Sequence, residues 1–123
     1  MSGEVRAAVA LEQGLDFQAI QLLCQEPGLT ITGFVRAATE SLPDLAQTRD
    51  PIVIVCRTPS PELLEFIRGA AEQRPERTHV VFFDGVANGF TRHAFAAGAD
   101  DLVSADAMQP GSAAQVVFAL EKA

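Results

Sequence analysis

The chain has 123 residues, 48% of them hydrophobic, and a formal net charge of −7. That length suits one domain over residues 1–123, large enough to bury a core without disulfide or metal staples. Lys122 is the only lysine and no basic stripe alternates with aromatic residues, which argues against direct nucleic-acid binding. No apolar run approaches the roughly 18 residues of a membrane span, and the first residues lack a basic head ahead of an apolar block, so a cytoplasmic protein without membrane insertion is expected.

Val5 to Leu11, VRAAVAL, reads as a short buried strand. Phe17, Ile20, Leu23 and Cys24 then recur at helical spacing, and Pro27-Gly28 stops that helix. Leu29 to Val35 alternates and is rich in β-branched residues, the pattern of a second strand. Glu40 to Arg49 predicts a short helix interrupted by Pro43. Ile52 to Cys56, IVIVC, is apolar on both faces, as a central parallel strand must be. Ser60, Pro61 and Glu62 open the next helix as N-cap, first-turn proline and dipole-matched acid. Its apolar face is Leu63, Leu64, Ile67 and Ala70, and Arg74-Pro75 ends it. His79 to Phe83 is a fourth strand, Asn88 to Ala97 a helix with Gly98 as its left-handed cap, and Asp101 to Ser104 a fifth strand. Ser112 to Gln115 reads as a capping box that starts a last helix, with Ala113, Val116, Val117 and Leu120 facing the core.

Five β-α units with continuous apolar strands predict an α/β fold: a doubly wound, flavodoxin-like parallel sheet of order 2-1-3-4-5 with helices on both faces. Its ligand crevice opens between the carboxyl ends of strands one and three. The glycine-rich dinucleotide and P-loop fingerprints and the nucleophile elbow are absent. Cys24 and Cys56 sit apart in apolar runs and read as reduced core thiols; His79 and His93 have no ligand-spaced partners, so no metal and no cofactor is expected. The strand mouths carry Glu12, then Cys56 and Arg57, then Asp84. Glu12 and Asp84 suit a hard cation if both face the crevice, and are otherwise solvated loop residues, with Asp84-Gly85 making a turn.

Gln25-Glu26-Pro27-Gly28-Leu29 and, more specifically, Ala94-Phe95-Ala96-Ala97-Gly98-Ala99-Asp100-Asp101-Leu102-Val103 carry a resemblance. Over nearly its whole length the chain resembles the receiver (CheY-like) domain of two-component response regulators. The resemblance implies acidic residues after strand one that hold Mg²⁺, a phosphoacceptor Asp at the end of strand three, a hydroxyl after strand four and a Lys after strand five. Matched onto this sequence, the acidic positions fall near Ala10, Leu11 and Glu12, the phosphoacceptor at Val55, Cys56 or Arg57, the hydroxyl at Phe83 or Asp84, and the lysine at Ala105. The chain departs from the pattern at nearly all of them, which identifies it as a degenerate receiver unable to form the usual acyl phosphate, and not an enzyme. Arg57 then mimics an altered state, binds an anion, or is simply a solvated arginine.

The last helix, Gln115 to Ala123, resembles the end of the receiver-like domain that precedes MinD/ParA-type ATPases of Tad (Flp) pilus assembly. That resemblance implies localisation or self-association, and residues 1–123 as the N-terminal part of a longer protein with an ATPase domain following. The receiver family's usual contact face is helix four, strand five and helix five, so the expected partner is a protein or a second copy meeting Arg92, Phe95, Ala96, Asp100, Phe118, Glu121 and Lys122. Phe95 and Phe118 lie off the main apolar stripe of their helices and are either exposed anchors or edge residues partly buried. The alternative is a small-molecule or anion binder using Glu12, Arg57 and Asp84 in the crevice.

Overall fold

The computed structural model describes residues 5–86, 89–109 and 111–122, without the side chain of Phe17; the expected roles of Phe17, Asn88 and Ala123 lie outside the described residues. The strands are β1 (Val5–Leu11), β2 (Leu29–Arg36), β3 (Ile52–Cys56), β4 (His79–Asp84) and β5 (Asp101–Ala105). The helices are α1 (Gln21–Gln25), α2 (Leu42–Leu45), α3 (Pro61–Gln73), α4 (Phe90–Ala97) and α5 (Ser112–Lys122). All strand pairs are parallel and the order is β2-β1-β3-β4-β5, as expected from the sequence.

Alternating side chains send each strand into two cores. Ala7, Val9, Val53, Val55, Val80, Phe82 and Val103 pack with Ile20 and Leu23 near α1 and Val116 and Leu120 on α5. Ala8, Ala10, Ile52, Ile54, Cys56, Val81 and Phe83 pack with Leu45, Phe66, Ile67, Phe90 and Ala94 on α2, α3 and α4. Every residue of β3 is buried, which is why its apolar run is unbroken. Gly98 closes α4 at φ 122°, and a Cβ there would lie 2.5 Å from the Cβ of Ala71. Glycine is therefore required both for the turn and for the approach of α4 to α3.

Four local expectations are corrected. Cys24 is exposed, not a core thiol: a 3-10 turn over Phe17–Ile20 precedes α1 and shifts the phase, so Ile20 and Leu23 point inward and Cys24 outward. The helix expected over 40–49 shrinks to a 3-10 turn at Thr39–Ser41 and the four residues of α2. Side chains from the end of α3 and beyond capture its carbonyls: Gln73 Nε2 donates to Leu42 O at 2.6 Å, Arg74 Nε to Ala46 O at 2.8 Å and Arg77 Nη1 to Leu45 O at 2.9 Å. Ser112 is the first residue of α5 and is buried, not its cap; Gly111 ahead of it supplies the carbonyl that accepts from Gln115 N–H. On α3, Phe66 joins the buried stripe and Leu64 is only half-buried.

At the amino ends of β3 and β4, Arg77 is 3% exposed. Its Nη2 donates to Ala70 O and Gln73 Oε1, its Nη1 to Leu45 O and Thr48 O, and its Nε to Nε2 of the buried His79 at 3.1 Å. Since His79 Nε2 accepts, the imidazole is neutral with its proton on Nδ1. Burial first, and the Arg77 charge second, hold the His79 pKa below its ordinary 6.5; Asp100 and backbone contacts oppose this more weakly. The unfolded chain therefore takes up the proton more readily than the folded one, so stability is full above pH ~6.5 and falls as pH drops toward the depressed value. Urea unfolding between pH 7.5 and 5 is expected to show this loss, and His79→Gln to flatten that part of the profile; an unchanged profile in the variant would contradict it.

Candidate functional site

The carboxyl ends of β1, β3, β4 and β5 converge on one mouth, and the register sets which side chains meet there. Leu11 pairs with Val55, Cys56 with Phe83, and Asp84 with Ala105. Glu12 N–H donates to Val55 O at 2.9 Å, which fixes Glu12 beside the end of β3. Its Oε1 accepts from the backbone N–H of Arg57 at 2.7 Å and of Thr58 at 3.1 Å. The Arg57 guanidinium crosses to the next strand end, where Nε and Nη2 donate to Asp84 Oδ2 at 3.0 and 2.6 Å. The other oxygen, Asp84 Oδ1, accepts from Ala107 N–H at 2.8 Å in the loop after β5.

Two sequence features at the mouth turn out to be engaged instead of solvated. The Asp84 side chain is 11% exposed, while that of Arg57 is 54% exposed, so the carboxylate is the shielded member of the pair. A nearly buried carboxylate needs a counter-charge and hydrogen bonds to both oxygens, and it has them. Glu12 is half-buried, with Oε1 shared by two amides. Ser104 was expected at the strand-five mouth; two further contributors, Ala107 and Arg36, were not. Ala107 offers only an amide. Ser104 Oγ donates to Gly85 O at 2.6 Å. Arg36 Nη1, from the end of β2, donates to Glu12 O and Leu15 O at 3.1 and 2.8 Å. A basic residue ending β2 was the one available signal.

Cys56 is buried, and burial followed by the nearby Glu12 charge pushes its thiol far above the ordinary range. It is protonated at neutral pH and no nucleophile. Val55 is buried in the opposite core. Of the three positions counted for the end of strand three, Arg57 alone puts a charged group in the mouth. Of the two counted after strand four, Phe83 is core and Asp84 is in the mouth. Ala105 ends β5 half-buried, and the one lysine is elsewhere: Lys122 Nζ lies 3.2 Å from Asp101 at the other end of β5.

A second surface runs along the β5 edge, flanked by α4 from one layer and α5 from the other. Phe118 is 63% exposed and Phe95 44% exposed, so both aromatics are surface residues and not core-edge fillers. Lys122 Nζ sits 5.6 Å from the Phe118 ring centre. Leu102, Ala114, Phe118, Ala119 and Lys122 border a shallow groove of about 430 Å³. Arg92, Ala96 and Glu121 are exposed. Asp100 is exposed but already engaged: its Oδ2 accepts from His79 N–H at 2.7 Å, and its own N–H donates to His79 O at 2.7 Å.

No family model and no curated protein matches the sequence. Solved structures do. A LuxR-family two-component response regulator from Aurantimonas superposes with a TM-score of 0.72 at 20% identity, covering 98% of this chain and 84% of that one. The receiver domain of a sensor histidine kinase from Pseudomonas aeruginosa, solved with magnesium coordinated in its active-site cleft, gives 0.68 at 15% identity over 98% and 97% of the two chains. The fold is that of a response-regulator receiver domain. A putative pilus assembly-related protein from Burkholderia pseudomallei has this receiver fold too, with a TM-score of 0.71 at 17% identity over 99% of this chain and 93% of that one. Within the receiver fold, the Glu12–Arg57–Asp84 chain lies at the crevice of the β1–β3 switch point, where such sheets place their chemistry. Among the described residues, no helix is long and apolar enough to cross a membrane.

Proposed function

We propose that this chain is a degenerate receiver domain that works as a cytoplasmic interaction module, pairing with a second copy of itself through α4, β5 and α5. The observation that carries the reading is Arg57. A guanidinium stands just past the end of β3, at one of the three positions, Val55, Cys56 and Arg57, where the resemblance puts a carboxylate to be phosphorylated, and it is tied to Asp84. A carboxylate is the nucleophile that an acyl phosphate requires. The neighbouring thiol of Cys56 is protonated and buried, and Ala105 has no ammonium to neutralise added charge. The same pairing works against an anion or a metal in the crevice, because Arg57 is paired with Asp84 and Glu12 Oε1 is already shared by two amides.

What the chain retains is surface. Exposed aromatics beside alanines and opposite charges suit a two-fold contact: Phe118 and Phe95 anchor, Ala96 and Ala114 allow close approach, and Arg92 and Glu121 pair across the axis. The reading extends to localisation in Tad-type pilus assembly ahead of a MinD/ParA-type ATPase. It is supported by the end of α5 and by the receiver fold of the Burkholderia pilus assembly-related protein.

Acetyl phosphate or beryllofluoride with Mg²⁺ is expected to leave the protein without a phosphoryl adduct in intact-mass measurements and without saturable amide shifts in NMR spectra. A modified carboxylate, or saturable shifts at Glu12, Arg57 and Asp84, would contradict the loss of phosphoryl chemistry.

A further inference from the structure

Four strand ends are joined at the mouth by one continuous chain of contacts. Glu12 after β1 holds the Arg57 and Thr58 amides after β3. Arg57 holds Asp84 at the end of β4, and Asp84 holds the Ala107 amide after β5. The β4 and β5 ends are further pinned by Ser104 Oγ to Gly85 O and by Gly85 N–H to Ala105 O at 3.0 Å. In sequence, the pinned residues Gly85 and Ala107 come ahead of α4 and α5. Both donors of Arg57 converge on a single oxygen, Oδ2, which leaves Oδ1 for Ala107. The pair is therefore more than a surface ion pair, since the guanidinium holds one oxygen of a shielded carboxylate whose other oxygen accepts a backbone N–H in the next loop.

We propose that Arg57 is a permanent internal cation: its guanidinium does for this mouth what a bound ion does for a pair of carboxylates, latching the strand-end residues Thr58, Asp84 and Ala107 into one arrangement without any ligand. This rests on the reading of the chain as a receiver fold free of phosphoryl chemistry, and adds how the interaction face is held in a constant state. A metal ion would have to displace the guanidinium to reach Asp84, and would meet Glu12 with Oε1 already shared by two amides. Removing the guanidinium vacates a place beside a carboxylate, the donor type that hard divalent cations take.

The test is amide hydrogen exchange read by NMR on the wild type, Arg57→Met and Asp84→Asn, with Mn²⁺ relaxation enhancement as a second readout. Both variants are expected to speed exchange at the Ala107 amide at least tenfold and to perturb amide shifts in α4 and at the start of α5. Mn²⁺ is expected to broaden the Asp84 region in Arg57→Met at concentrations at least tenfold lower than in the wild type. An Ala107 amide that stays within twofold of the wild type in both variants would overturn the latch. So would equal Mn²⁺ broadening in the wild type and Arg57→Met. If Arg57→Met is too unstable, Arg57→Lys serves: it keeps a charge but loses the fork, and an Ala107 amide unchanged from the wild type there likewise overturns the latch as a guanidinium device. Sedimentation of the same samples separates the two ideas. A dimer with an unresponsive Ala107 refutes the latch alone; a monomer with a responsive Ala107 refutes the self-association alone.

Discussion

Replacing Arg77 with methionine is expected to lower the unfolding free energy by about 3–5 kcal/mol, a large part of what a small domain has. Methionine fills most of the volume, so the loss is one of hydrogen bonds and not of packing. Leu45 O keeps a second donor, Thr48 N–H at 2.9 Å, and loses little. Ala70 O, Thr48 O and His79 Nε2 lose a charged donor in a site where Arg77 itself is 3% exposed. Each stranded buried acceptor costs about 1–3 kcal/mol, partly recovered where water enters. Arg77→Lys should recover little, because a point charge cannot serve acceptors spread around a planar fork. Urea titration gives the number from the shift in midpoint at constant slope. A loss below about 1 kcal/mol would mean that the bonds are replaced by solvent, and that α2 and α3 are held by their apolar contacts alone.

The sheet was legible because its signals are local and redundant. IVIVC is apolar on both faces since all five residues of β3 are buried between two layers of helices. With five strand segments alternating with helices, the right-handed crossover rule leaves few orders to choose from. Helix details were less legible where tertiary contacts override propensity. The phase of α1 depends on a 3-10 turn, which moved Cys24 to the surface. The length of α2 depends on Gln73, Arg74 and Arg77 reaching back about one β-α unit to its carbonyls.

The site divides in the same way. That the mouth holds Glu12, Arg57 and Asp84 followed from strand ends alone. That Arg57 grips Asp84 did not, because the partners are 27 residues apart and no periodicity links them. Register decides the matter: with Cys56 beside Phe83, the next residues on each strand are neighbours. The exposure of Phe95 and Phe118 was open for a related reason. Both lie off the apolar stripe, and only the placement of α4 and α5 on either side of an edge strand turns their flanks to the surface.

Substituting Phe118 with aspartate carries the other large effect. The residue is 63% exposed, so the folded monomer gives up little when it is replaced. Its loss removes the apolar centre of the proposed face, and the new carboxylate has to be desolvated against its own two-fold copy. Burying an aromatic anchor at the middle of an interface is worth about 2 kcal/mol or more, and a facing like charge adds to the cost, so the dimer should weaken by a factor on the order of 100. Lys122 lies above the ring and also pairs with Asp101, so Lys122→Ala should weaken the dimer less than Phe118→Asp does.

Sedimentation equilibrium over a range of concentrations, on the wild type and Phe118→Asp side by side, tests the central claim most directly. The wild type is expected to form a dimer that dissociates on dilution, burying on the order of 1,000 Å² or more. The variant, with an unchanged circular-dichroism spectrum, is expected to remain monomeric where the wild type is paired. A wild type that stays monomeric up to about 1 mM, the weak end of specific association, or a folded Phe118→Asp that dimerises equally well, would contradict self-association through α4, β5 and α5.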